Sequence, residues 1–354
     1  MITLIMQIKK LNLEDLDDSS FLSDYITYLK QYYQTEHPDD PIPSDDIMKK
    51  SIKYKKEDEF LYRLVVYEED KLVGTSRITH PTKDSPEYET NAHIAFVSCN
   101  ILEKYRGKGY GKALIIDILK YLDEVGITTI QSLVFNSIGR EFCKKIGATL
   151  GNEGGERRLK LIDVNWDMID TWIEEGKTRA KGVSFNYYDQ IPDNIMDDFV
   201  DVYTETNNQA PSEGLEDIVK VTSDSFRKEE ENLRQIGYHH LFVLSIEEDG
   251  KISGLTEMLY QKEVNYLIHQ ELTGVLEKYR GRGLGKILKA RMLKEIKSRF
   301  PSVQIISTGT ADTNAPMVSI NQRLGFKPYR NNVFINLKIK TAIKILNLNS
   351  EIKD

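Results

Sequence analysis

The sequence predicts an α+β protein of two tandem domains, each a three-layer sandwich in which a mixed sheet is flanked by helices. Three observations carry this expectation. The chain has 354 residues, roughly twice the ~150 residues of an ordinary domain. The stretch "EKYRGKGYGK" beginning at 103 recurs as "EKYRGRGLGK" beginning at 277, a period of 174 residues. Two further pairs keep the same order: "DKLVGTSRI" (70–78) with "GKISGLTEM" (250–258), and "NSIGREFCKKIGA" (136–148) with "NAPMVSINQRLGF" (314–326), at offsets of 180 and 178. Three landmarks repeated in order indicate a duplicated domain.

Within each half the elements follow one plan. An acidic, aromatic-containing helical segment opens it ("FLSDYITYLKQYY"; "DNIMDDFVDVYTETN"). Strands with alternating apolar residues follow ("FLYRLVVYEEDKLVGTSRI"; "HLFVLSIEEDGKISGLTEMLY"). A further strand runs into the glycine-rich turn and an amphipathic helix. In the second copy Leu284, Ile287, Leu288, Met292 and Ile296 form one apolar stripe; Ala113, Leu114, Ile116, Ile118 and Leu122 stand behind the first turn. A short β run ("TTIQSLVF"; "VQIISTGT") and a last helix complete the half, with Gly147 and Gly325 at the helix stops. Strands enclosed by helices in this order define the layered α+β class. Val164, Met168, Ile169 and Trp172 recur at helical spacing in "VNWDMIDTWIEEGKTRAKG", read either as a connecting helix or as the last helix of the first domain. The expected division is 1–163 and 183–345 for the domains, 164–182 for the connecting helix, and 346–354 for a tail.

Composition narrows the function. With 40% hydrophobic and 29% charged residues the chain is an ordinary soluble one. A net charge of −7 argues against a nucleic-acid partner. The two cysteines, Cys99 and Cys143, both lie in the first half, which is no disulfide framework and fits a reducing compartment. About five apolar residues precede the first charge in "MITLIMQIKK", too few for a signal peptide. No run approaches the ~20 apolar residues of a membrane span. A cytoplasmic protein without membrane or metal partners is expected, since His37, His80, His93, His239, His240 and His269 show no ligand spacing.

The glycine turn is built to hold an anion. Gly281, Gly283 and Gly285 lie where a strand gives way to a helix, so backbone amides are bare and the helix origin adds partial positive charge. Arg280, Arg282 and Lys286 surround it; Arg106, Lys108 and Lys112 with Gly107, Gly109 and Gly111 repeat the arrangement. A nucleoside-triphosphate loop needs four residues between its glycine and its Gly-Lys, then Ser or Thr. Gly107 and Gly111 have three between them, and Ala113 and Ile287 follow the lysines. The dinucleotide spacing GxGxxG is absent as well. What remains is Arg-x-x-Gly-x-Gly, twice. In this pattern the chain resembles the GNAT acyltransferase superfamily over both halves, and its second half is similar to tandem proteins of the mycothiol synthase type.

The resemblance implies acetyl-coenzyme A as cofactor. It sets residues 280–286 (Arg280, Gly281, Arg282, Gly283, Leu284, Gly285, Lys286) and 106–112 (Arg106, Gly107, Lys108, Gly109, Tyr110, Gly111, Lys112) on the diphosphate. It sets Val275 and Leu276, and likewise Ile101 and Leu102, beside the pantetheine arm. It sets Asn314, with Asn136 as its counterpart, near the same arm, and the amide of Val275 on the thioester oxygen. The family's tyrosine general acid, seven residues after that asparagine, is replaced by Asn321 and Cys143. Tyr329 and Tyr260 are substitutes to consider.

Acetyl transfer to an amine, whose ordinary pKa is near ~10, needs a base more than an acid, because a thiolate of pKa ~8.5 leaves readily. Glu271, four residues before Val275, and Glu257, on the preceding strand, are the expected catalytic carboxylates, each equally compatible with an exposed strand glutamate. His269 shares a strand face with Glu271. The first half has Val97 and Arg77 at the corresponding positions. Chemistry is therefore expected in the C-terminal domain, on a primary amine of a small molecule or peptide. The acidic segments 31–46 and 204–217 are expected to select the acceptor. The alternative is a non-catalytic acyl-coenzyme A sensor or interaction protein.

Overall fold

A computed structural model describes residues 6–209 and 218–348. They form two compact units: 6–151 with 333–348, and 152–209 with 218–332. Neither unit coincides with a half of the sequence.

Unit 1 contains the strands β1 (Met6–Lys10), β2 (Glu59–Glu68), β3 (Lys71–Pro81), β4 (Ile94–Ile101) and β5 (Thr129–Val134). Its helices are α1 (Ser19–Glu36), α2 (Asp45–Lys53), α3 (Tyr88–Asn91), α4 (Tyr110–Glu124) and α5 (Ser137–Lys145). Neighbouring strands are antiparallel except β4 and β5, which are parallel. The chain then runs through β6 (Thr149–Lys160), most of which belongs to unit 2, and continues as α6 (Trp166–Arg179).

Unit 2 goes on with β7 (Ser184–Tyr188), α7 (Asp193–Asn208), α8 (Ser223–Gln235), β8 (Tyr238–Ile246), β9 (Ile252–Gln261), β10 (Leu267–Val275), α9 (Leu284–Arg299), β11 (Ile305–Ala311) and α10 (Ala315–Leu324). Here β10 and β11 are the parallel pair. The final strand β12 (Lys327–Lys338) begins in unit 2, but its second half and α11 (Ile339–Leu346) belong to unit 1.

The closing strands are thus exchanged. β12 pairs with β5 from Val333↔Val134 to Lys338↔Thr129, while β6 pairs with β11 from Gly154↔Ala311 to Lys160↔Ile305. The helix after each strand goes with it: α11 packs on α4, and α6 on α9. The expected boundary at 163/164 differs from this division, as does each reading of the connecting helix, because α6 buries Ile169 and Trp172 in the core of unit 2. The exchange depends on Gly154 and Gly155. A Cβ on Gly154 would stand 2.6 Å from the Thr310 carbonyl oxygen, and one on Gly155, whose φ is +153°, would collide with the Arg330 carbonyl.

Alternation along the strands supplies the cores. Leu241 and Val243 of β8 join Leu288, Met292 and Leu293 of α9 on one face. Phe242 and Leu244 join Phe199 of α7 and Phe226 of α8 on the other. Among the described residues no helix is long and apolar enough to cross a membrane.

Candidate active site

The two parallel pairs separate almost as soon as they form. β10 and β11 are in register only from Leu267↔Ile305 to His269↔Ser307, and β4 and β5 only from Ile94↔Thr129 to Phe96↔Gln131. β10 then carries a register shift against β9 between Gln270 and Thr273; the β3–β4 ladder has none. This bulge lifts Glu271 and Leu272 out of the ladder beside the opening, a common device for re-aiming a side chain.

Beyond the opening, each strand enters the glycine turn. Gly281 (φ 82°) and Gly283 (φ 81°) precede α9, and Gly107 (φ 77°) and Gly109 (φ 95°) precede α4. These left-handed conformations are the reason for glycine here. Side chains of Asp18, Ser44, Asn136, Asn165, Thr222 and Asn314 cap α1, α2, α5, α6, α8 and α10. No side chain caps α4 or α9, and none caps α3, α7 or α11; at α4 and α9 the preceding glycines also leave the first amides bare, so they are open to an anion. The chain thus has two cradles whose donor set fits a diphosphate.

The arginine of each motif has a structural task that its sequence did not disclose. Arg280 Nε donates to the Val275 carbonyl at 3.1 Å, and Arg106 Nε to the Ile101 carbonyl at 2.9 Å. Each ties its strand end to the turn. The neighbouring cations are paired: Arg282 Nη1 lies 2.9 Å from both oxygens of Glu247, Lys286 Nζ lies 3.0 Å from Glu175, and Lys108 Nζ lies 3.6 Å from Glu68. The Tyr110 hydroxyl donates to Glu68 at 2.5 Å. Lys112 is exposed on the first turn of α4, Gly111 has Ile101 as its nearest neighbour, and Gly285 lies near Ile320 and Val275. Leu284 is buried.

Two expected contacts change. Leu276 and Leu102 are core residues whose amides donate to Ser253 and Val73 and whose carbonyls accept from Tyr279 and Tyr105. Their amides are thus already engaged within the fold, while Val275 and Ile101 stand at the strand ends. Asn314 Oδ1 accepts from the Met317 amide at 3.3 Å, so its local duty is to cap α10.

The cradles also differ. In unit 1, Arg106 Nη2 is 2.9 Å from Glu36 in a half-buried ion pair, whereas the matching atom of Arg280 meets the neutral Gln209. Tyr28 donates to the Asn100 carbonyl, and Tyr32 to the Asn100 side chain, each at 2.9 Å. The end of β4 is therefore covered by tyrosines of α1.

In unit 2 the carboxylates converge. Glu257 is buried, and each oxygen is satisfied: Oε1 accepts from the Tyr203 hydroxyl at 3.0 Å and the Leu272 amide at 3.3 Å, and Oε2 faces His240 Nε2 at 2.7 Å. Tyr203 and His240 were not recognised from sequence; they lie on α7 and β8, far from the motif. The same burial and the Glu257 charge hold the Tyr203 hydroxyl well above its ordinary value. Glu271 is open to water, yet surrounding protein and the nearby Glu257 charge push its carboxyl up to about 7, against a smaller opposing effect of His240.

Asn321 and Cys143, which replace the tyrosine implied by the resemblance, and the substitutes Tyr260 and Tyr329 have other neighbours. Asn321 is buried and donates to Thr310 at 2.9 Å. Cys143 is half-buried, its thiol pushed up to about 11 by desolvation, and packs against the core of unit 1. Tyr260 faces the α9 side of the sheet against Phe300, and Tyr329 lies beneath the Arg158 guanidinium. Of the acidic segment 204–217, residues 210–217 lie outside the described residues. An open recess of about 580 Å³ borders Arg282's partner Glu247, but Glu247, Glu248 and Asp249 line it. Those carboxylates make it a poor seat for phosphate.

A twofold layered sheet, a splayed parallel pair and an uncapped glycine turn define an acyltransferase class of fold. The profile described as "Acetyltransferase (GNAT) family" matches residues 24–148 and 200–326, and the chain belongs to that family. No curated protein sequence matches it. Solved structures match the fold at low identity. A tandem GNAT protein from the clavulanic acid biosynthesis pathway is 19% identical with a TM-score of 0.73, over 95% of this chain and 99% of that one. A GCN5-related N-acetyltransferase from Sphaerobacter thermophilus is 14% identical with a TM-score of 0.64, over 95% and 97%.

Proposed function

We propose that this protein is an acetyl-coenzyme A-dependent N-acetyltransferase acting on a primary amine of a small molecule or peptide, with its chemistry in unit 2. One observation carries the reading: Glu271, raised to about 7, stands on the bulge of β10 at the mouth of the opening that leads to the α9 cradle. A base poised near neutrality suits removal of a proton from an ammonium group. The matching stretch of β4 has Val97 and no bulge.

The coenzyme supplies the activated acyl thioester. The open amides at the start of α9 hold its diphosphate. The carboxylate of Glu271 takes the amine proton, directly or through a water. The amine nitrogen then bonds to the acyl carbon, the carbon–sulfur bond breaks with its electron pair leaving on sulfur, and the second N–H proton passes to solvent or to the departing thiolate. Tyr203, held as a donor to Glu257, does not serve as the acid; a thiolate of pKa ~8.5 departs without one. Glu257 is a positioning residue: it receives the Leu272 amide and so fixes the bulge that presents Glu271.

The test is thiol release from acetyl-coenzyme A with a panel of primary amines and peptide N-termini, comparing wild type with Glu271→Gln. Amine-dependent release that survives this substitution unchanged overturns the assignment. The buried Asn321 at the family's tyrosine position favours a second reading, a non-catalytic acyl-coenzyme A sensor. Tight binding without release to any amine would select it.

A further inference from the structure

The helix α6, which follows the exchanged strand β6, reaches the α9 cradle. Trp172, Gly176 and Arg179 fall at i, i+4 and i+7 on one face. Gly176 allows the close approach: a Cβ there would stand 2.7 Å from Ile287 Cδ1. The last turn of α6 consequently lies over the glycine turn. Arg179 Nη2 donates to the Gly281 carbonyl at 3.3 Å, and its Cζ is 3.9 Å from where a Cβ on Gly283 would be.

Charge distinguishes Arg179 from Arg282 and Lys286, though not from Arg280, which meets the neutral Gln209. Arg282 is neutralised by Glu247 and Lys286 by Glu175. Arg179 has no carboxylate within ion-pair distance among the described residues. It places a positive charge beside Gly281 and Gly283, just before the start of α9. Among the described residues unit 1 has no counterpart. α11 is 8 residues long against 14 for α6, and nothing lies within 4 Å of a Cβ built on Gly107 or Gly109.

We propose that Arg179 binds a phosphate of the acyl-coenzyme A, so that the coenzyme site of unit 2 is completed by a helix outside the glycine motif. The inference rests on the coenzyme-binding reading above. A guanidinium matches phosphate geometry through paired N–H donors, and the last turn of α6 brings it there already in place.

The experiment is calorimetry on the full chain with coenzyme A and with 3′-dephospho-coenzyme A, for wild type, Arg179→Ala, Arg179→Lys and Lys177→Ala. Lys177 lies in the same helical turn and is paired with Glu174, so it serves as the control. Arg179→Ala is expected to weaken coenzyme A by about 10-fold, with Lys in place of Arg recovering part and Lys177→Ala unchanged. A loss confined to coenzyme A assigns the 3′-phosphate; an equal loss for both ligands assigns the diphosphate; either supports the proposal. If wild type binds and Arg179→Ala binds equally well, the role of Arg179 is refuted while the cradle stands. If wild type binds neither ligand, the coenzyme reading itself has failed.

Discussion

The Nε2 atom of His240 lies 2.7 Å from Oε2 of Glu257. This contact joins β8 to β9 and holds the buried Glu257 carboxylate near Glu271. Burial first, and then the like charge of Glu257, push the Glu271 carboxyl upward. The electrostatics of the proposed base therefore depend on residues that never touch the acceptor.

Activity is expected to rise with pH through a midpoint near 7, because only ionised Glu271 accepts a proton and its carboxyl is raised to about 7. Glu271→Gln should lower kcat by about 10²- to 10⁴-fold and abolish that midpoint. A pH–rate profile of both proteins with one good amine checks this.

Glu257→Gln leaves the burial of Glu271 in place and removes the second cause of its upward shift, the Glu257 charge, while retaining a side chain able to accept from Tyr203 and Leu272. The midpoint of the pH profile should move below 7 while acetyl-coenzyme A affinity stays unchanged. An unshifted midpoint would show that Glu257 is only a structural residue.

Lys289 is fully buried on α9, with Nζ 2.9 Å from Gln270 and the Phe326 ring nearby. Burial pulls its ammonium down to about 7. Between about 7 and 10.5 the unfolded chain binds the proton that the folded chain does not, so stability rises with pH across this window and falls as pH is lowered toward 7. Lys289→Met should flatten urea-denaturation stability over that range, a difference of order a few kcal/mol at its lower end.

Gly155→Ala places a Cβ against the Arg330 carbonyl at φ +153°. Strain of this kind costs on the order of 1–3 kcal/mol before any clash is counted. The urea midpoint should fall, and Gly309→Ala on the facing strand β11, where nothing lies within 4 Å of the added Cβ, should fall less.

Much of the fold was legible because its signals are local. The helices over 110–124 and 284–299 follow from their apolar stripes and glycine starts. β6 was not legible: "TLGNEGGERRLK" has three glycines and five charged residues, and only pairing with β11 makes it a strand. β1 and β7 are short edge strands, and β12 takes its partner from the opposite end of the chain. In the site, Glu271 and Glu257 could be named from strand position. Tyr203 and His240 could not, since their meaning comes from contacts across 54 and 17 residues.

By itself the sequence determined the duplication, the layered class and the two glycine-rich turns, because glycine spacing and apolar period act within a few residues. The tertiary structure alone decided which strand closes which sheet, which carboxyl is raised, and which helix end lies over the turn. Those outcomes depend on burial and on charges brought together from distant segments, and neither quantity exists until the chain has folded.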